Sequence, residues 1–188
     1  MPAKLAKDFL SFSDLAAAYV QNQDYRIVEV PRPDSSTAIL APHGGPIEAF
    51  TSDIARGIAG EEYGLYLFEG LMRAGNFAAL QLSSERFDEP ACLQMLKHCD
   101  RVVAIHGCSA PGEVVLVGGL DKTLGEAVAT ALQAVGEQAP TKLAGAHPRN
   151  VCNRGRSNKG VQLEVSLELR RSPRRKMLVA AVRDALQR

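Results

Sequence analysis

No stretch of this 188-residue chain is apolar over the roughly 18–20 residues that a membrane-spanning helix needs. The segment Met1 to Val20 carries Asp8 and Asp14 among short apolar groups. It lacks the charged, then apolar, then small-residue order of an export signal, so a soluble cytoplasmic protein is expected. Cysteine is sparse: Cys92, Cys99, Cys108 and Cys152 are the only four. None are spaced as Cys-x-x-Cys, which argues against a structural zinc knuckle and against a disulfide framework. Tryptophan is absent and aromatics make up 5% of the residues. No internal repeat is visible.

What is present is enough apolar sequence, 46% of residues, for a sizeable core in one domain over residues 1–188. Residues 1–12 read as an N-terminal extension of that domain. The net charge of +1 hides an asymmetry. From Arg149 to Lys176 there are nine Lys/Arg against two Glu. A basic segment in an otherwise acidic chain points to an anionic partner, or else to a solvated loop and tail.

Short β-like runs recur at Tyr25–Val30, Thr37–Ala41, Leu65–Phe68, Ala78–Leu82, Arg101–Ile105, Glu113–Val117 and Val161–Leu169. Several are continuously apolar, as strands buried on both faces are. Helical patterns lie between them: Ser13–Gln21 with Ser13 as N-cap, Thr51–Ala59, Ala91–His98, Lys122–Val135 and Lys176–Leu186. Asp121 is placed to cap the fourth and Gly136 to stop it. The alternation predicts an α/β fold with a mixed, mostly parallel sheet and helices on both faces. The polar loop Gly145–Gly160 is long enough to be functional.

Two of the four histidines share a context. His43 follows Ala38–Pro42 and opens the turn His43-Gly44-Gly45-Pro46; His106 follows Val102–Ile105 and precedes Gly107-Cys108. Both sit where an apolar strand meets a Gly-bearing loop, and sites in open α/β sheets gather at the carboxyl ends of strands. The Gly-Gly turn can bring Glu48 back towards His43. Two imidazoles and a carboxylate form a known catalytic zinc set that leaves one position for water. The structural alternative is that each histidine is a satisfied core residue. His98 reads as a surface or helix-end residue, and His147 falls in the polar loop.

Glu164, between Leu163 and Val165, is the candidate general base, because burial would raise its pKa. Alternatively it faces solvent on an edge strand. Arg154 could fork onto a carboxylate, with Asn150 and Asn153 donating to the same ligand; otherwise the asparagines shape a turn. Asp88 and Glu89 read either as acids orienting a histidine or as the start of a helix at Pro90. The helix-start reading fits slightly better.

Taken together, several segments resemble the phage-type poly-γ-glutamate hydrolases. They are Ala41–Glu48, Thr51–Gly60, Phe68-Glu69-Gly70, Phe87–Pro90, Ile105–Cys108, Gly118–Asp121, Asn150–Gly155 and Gly160–Glu164, in that order. The resemblance runs from about Tyr25 to the last helix. It implies a zinc-carboxypeptidase-like fold and one zinc ion per chain, with His43, Glu48 and His106 as ligands and Glu164 as the catalytic carboxylate. Arg154 is implied as a binder of substrate carboxylate. The implied substrate is anionic polyglutamate or a small glutamyl compound, and a monomer without membrane partners is expected. Gln81 stands where the family often has a histidine, which bears on substrate preference.

Two rivals remain at this point. One is a cysteine hydrolase using Cys152 and His106. The other is a non-catalytic nucleic-acid-binding module using the basic 149–176 segment. The second is disfavoured because no aromatics interleave with that segment.

Overall fold

The structure is a computed structural model that describes residue 5 and residues 9–136 and 145–187. Six strands form one sheet in the order β1-β3-β2-β4-β6-β5. They are β1 (Tyr25–Val30), β2 (Thr37–Gly44), β3 (Gly64–Gly70), β4 (Arg101–Cys108), β5 (Val115–Gly119) and β6 (Val161–Ser166). The four inner strands β3, β2, β4 and β6 run parallel to one another. The edge strands β1 and β5 are antiparallel to their neighbours.

Every residue of β2 and of β3 is buried. This is why both read as continuous apolar runs: a strand covered on both faces has no solvent side to fill with polar residues. Alternate side chains still go to opposite cores. Ile39, Ala41, Leu65, Leu67, Val103, Ile105, Leu163 and Val165 face one core. There they pack against α2 (Thr51–Ala59), α5 (Lys122–Leu132) and α7 (Arg175–Leu186). Ala38, Leu40, Tyr66, Phe68, Val102 and Ala104 face the other. That core is closed by Leu15 of α1 (Phe12–Ala16), by Ala79 and Leu80 of α3 (Asn76–Leu80), by Cys92, Met95 and Leu96 of α4 (Pro90–Leu96), and by the 3-10 turn Val151–Asn153. Each fully buried Leu, Ile, Val or Phe contributes about 1.5–3 kcal/mol. Helices therefore cover both faces, as expected from the sequence.

Some boundaries moved for physical reasons. Ser11, not Ser13, caps α1, its hydroxyl accepting from Asp14 N at 3.2 Å. Asp121 caps α5 as expected, accepting from Leu124 N, but that helix ends at Leu132, before Gly136. Glu89 starts α4: its carboxylate accepts from Ala91 N and Cys92 N, and Pro90 occupies the first position. The run Ala78–Leu82 is not a strand; Asn76–Leu80 is a helix. A five-residue apolar run does not fix its own period. The local anchor here is Asn76, whose side chain accepts from Met72 N and donates to Met72 O. The last apolar run also divides. Strand β6 stops at Ser166, whose hydroxyl caps the short helix α6 (Leu167–Arg171).

Residues 1–4 and 6–8 of the expected N-terminal extension lie outside the described residues, while Phe9 is fully buried. No helix among the described residues is long and apolar enough to cross a membrane.

Candidate metal centre

The sheet order decides where the two strand-end histidines go. β2 and β4 are parallel neighbours, so their carboxyl ends lie side by side. β6 lies on the far side of β4, with Glu164 directly opposite His106. His43, His106 and Glu164 thus reach one edge of the sheet on adjacent strands.

Glu48 arrives from the loop after β2. Gly45 there has φ +60°, a conformation that side chains with a Cβ rarely adopt, and its Cβ position would lie 3.0 Å from the Gly70 carbonyl. Phe50 ends the loop in the left-handed region, with φ 72°. The turn is fastened by Glu48 N donating to His43 O at 2.9 Å. Thr51 Oγ1 donates to the carbonyls of both His43 and Glu48. Gly107 N donates to Glu48 Oε2 at 2.7 Å, tying the loop to the end of β4.

The three side chains converge. His43 Nδ1 lies 3.1 Å from Glu48 Oε1 and 3.1 Å from His106 Nδ1. His106 Nδ1 lies 3.7 Å from Glu48 Oε2. All three residues are buried, and their ligand atoms fall within 4.8 Å of one another.

The tautomers follow from the outer contacts. His43 Nε2 is 2.7 Å from the Leu82 carbonyl, which only accepts, so Nε2 carries the proton and Nδ1 keeps its lone pair. His106 Nε2 has Ser84 Oγ at 3.4 Å as its partner. Each imidazole is thus held by its outer nitrogen and turns Nδ1 inward, as metal-binding histidines do. Donors about 2.0 Å from a tetrahedral ion stand about 3.3 Å apart, close to the separations found here. The donor set fits zinc.

Electrostatics agree. Burial works against ionisation of Glu48, but His43 and His106 outweigh it and hold its carboxyl well below the usual range. Burial would lower the His43 pKa, yet Glu48 beside it raises it overall. Glu164 behaves oppositely: burial pushes its carboxyl up, only partly offset by His106. Gln162 Nε2 donates to Glu164 Oε1 at 2.8 Å.

A cleft of about 630 Å³ opens over these groups. Its other lining residues include Phe77, Gln81, Ser84, Cys108, Arg170 and Arg171.

The structure separates the remaining expected site residues. Asn150 is buried; its amide donates to Gln162 Oε1 at 2.8 Å and its oxygen accepts from Cys152 N. It touches Glu164 only through Gln162. Asn153 is committed to the loop, accepting from Leu120 N and Gly160 N and donating to the carbonyls of Gly145 and His147. Arg154 is exposed and lines a separate groove with Arg86, Asp88 and Arg149. Asp88 accepts from Phe12 N at 2.6 Å and orients no histidine. His98 and His147 are exposed.

Sequence reasoning missed Arg170, Gln162 and Ser84. Arg170 hid in a basic run that reads as a solvated tail. The serine cap at Ser166 was the signal that a buried helical turn follows.

Both rivals lose ground. Cys152 is fully buried, and its thiol is pushed up to about 12 by burial. Four of the nine basic residues in the segment face carboxylates: Arg156 pairs with Asp100, Lys159 with Asp121, Arg174 with Glu113 and Arg175 with Asp53, and Arg170 is buried.

A family model described as poly-gamma-glutamate hydrolase matches residues 9–181. The chain belongs to the poly-gamma-glutamate hydrolase family.

Its family relatives in Bacillus subtilis (strain 168) include the UPF0714 proteins YndL, 32% identical, and YmaC, 36% identical; each match covers 90% of this chain and 73% of the relative. The SPbeta prophage-derived protein YoqZ is 38% identical over 143 residues, which are 73% of this chain and 52% of YoqZ. The chain thus spans about half the length of YoqZ. Among solved structures, a bacteriophage poly-gamma-glutamate hydrolase matches with TM-score 0.89 at 28% identity, covering 95% of this chain and 96% of that one. Zinc-free YndL matches with TM-score 0.86 at 29% identity and the same coverage.

Proposed function

We propose that the protein is a zinc-dependent amidohydrolase that cleaves γ-glutamyl amide bonds in poly-γ-glutamate or a related glutamyl substrate. One observation carries this reading: two imidazole Nδ1 atoms and a carboxylate converge in a cleft that the half-buried carboxylate of Glu164, opposite His106 on the next strand, also lines. The family membership and the zinc-free YndL structure support the same reading.

His43, Glu48 and His106 would hold one zinc ion. When bound, zinc supplies a Lewis acid that lowers the pKa of water and polarises the amide carbonyl. Glu164 then acts as general base. Its carboxylate takes a proton from the attacking water as the new C–O bond forms. It delivers that proton to the departing amine nitrogen as the C–N bond breaks. Gln162, itself oriented by Asn150, fixes one oxygen of Glu164, which lines the cleft. Arg154 and Arg149 line a separate groove, where they would attract carboxylates of a polymeric substrate, an attraction that weakens with salt.

The test is to incubate poly-γ-glutamate with the protein and follow chain length by size-exclusion chromatography, with and without a chelator. Shortening that stops with chelator and returns with zinc is expected. Intact polymer in the presence of added zinc would contradict the substrate assignment.

A further inference from the structure

A buried cation lines the cleft with no carboxylate in direct contact, although Glu48 and Glu164 act on it at longer range. Arg170 is only 6% exposed and lines the cleft beside Glu48 and Glu164. Its guanidinium is fixed at two points: Nε donates to Val165 O at 2.9 Å, and Nη1 donates to Ala49 O. It lies flat over Gly107, where a Cβ would stand 2.6 Å from Nη2. Position 107 therefore accommodates only glycine without moving the guanidinium.

Among the described residues, no carboxylate lies within 4.0 Å of this guanidinium, whereas Arg156, Lys159, Arg174 and Arg175 of the same segment each have one within that distance. Arginine cannot lose its proton to escape burial. A buried charge is normally paired, because leaving it unpaired is costly. Two of its N–H groups are held by backbone carbonyls, so the planar fork is already oriented, which reduces the ordering cost of binding. With Glu48 and Glu164 ionised, a divalent cation between the histidines would cancel their charge and leave the cleft positive by Arg170 and the exposed Arg171, of which Arg170 is the buried one.

We propose that Arg170 is the specificity-determining group of the cleft and receives a carboxylate of the glutamyl residue next to the scissile amide. This rests on the hydrolase reading of the site. It assigns the carboxylate contact at the reacting bond to Arg170, and leaves Arg154 to residues further along the chain.

The test uses binding, so it does not depend on turnover. Calorimetry would measure a short γ-linked glutamate oligomer binding to the zinc-loaded Glu164→Gln protein, with and without Arg170→Gln. The same oligomer with methyl-esterified carboxylates serves as the control. Loss of a buried charge-assisted contact predicts binding of the acid oligomer weakened roughly 10- to 100-fold by Arg170→Gln, with the ester unaffected. Arg170→Lys, which keeps the charge but not the fork, should fall between, and it serves if Arg170→Gln does not fold. Equal binding of the acid oligomer with and without Arg170 overturns the proposal. So does equal weakening of acid and ester, which would mark Arg170 as a brace for the Glu48 loop. If wild type binds the oligomer but never cuts it, the hydrolase reading fails while the Arg170 result still stands.

Discussion

Replacing Glu164 by Gln separates chemistry from structure at this site. The two side chains have the same shape, and the new amide oxygen can still accept from Gln162 Nε2, now at 2.8 Å from Glu164 Oε1. The proposed ligands His43, Glu48 and His106 are untouched, so zinc content should remain as in wild type. What disappears is a base, and general-base assistance is worth about 10²–10⁴-fold, or about 3–5 kcal/mol of barrier. We expect kcat to fall by that factor with KM changed little. Stability should not suffer, because burial disfavours the Glu164 carboxylate and raises its pKa. A neutral amide relieves that cost. The assay is steady-state release of amine ends from poly-γ-glutamate, alongside a thermal melt and elemental analysis. Turnover within threefold of wild type, with zinc retained, would refute the base assignment.

The raised Glu164 pKa also fixes the sign of a pH effect in the zinc-free protein. A carboxyl whose folded pKa is raised binds its proton more tightly when folded, so wild type loses stability as pH rises from the ordinary value of about 4.3 through the folded pKa. The melting difference between Glu164→Gln and wild type should therefore be near zero at pH 4 and open in favour of the variant by pH 7; a constant difference would contradict this. Gln162→Leu removes the donor to Glu164 and should lower kcat about tenfold with little change in KM; an unchanged kcat would make Gln162 purely structural. Gly107→Ala should displace Arg170 from the Val165 and Ala49 carbonyls. Hydrogen bonds to a charged group are worth about 1.5–3 kcal/mol each, so losing both predicts a chemical denaturation loss of about 3–6 kcal/mol. A variant as stable as wild type would show that the guanidinium moves freely.

The strands and the His43, Glu48 and His106 cluster were legible in the sequence to different depths. Tyr25–Val30 and Thr51–Ala59 were read to the residue, because an edge strand and an amphipathic helix each carry their own period. His43 and His106 were visible as strand-end residues before glycines. That they meet depends on β2 and β4 being neighbours, and no local pattern encodes strand order. The Asn150–Gln162–Glu164 chain was invisible for the same reason: its members come from the 3-10 turn and the strand after it, and only packing brings their amides together. Arg154 and Arg170 show the limit of charge reading. Both are arginines in one basic segment, yet one is exposed on a separate groove and the other is buried in the cleft. Composition gives the sum of such charges and not their depth.

The most direct measurement is the metal content of the purified protein by elemental analysis, wild type beside His106→Ala. Each donor stands close to the spacing a single tetrahedral ion requires, so wild type should hold about one zinc per chain. His106→Ala should hold almost none while its melt still shows a folded protein. Zinc absent from wild type even after incubation with the ion, or retained in full by His106→Ala, would contradict a metal centre at His43, Glu48 and His106.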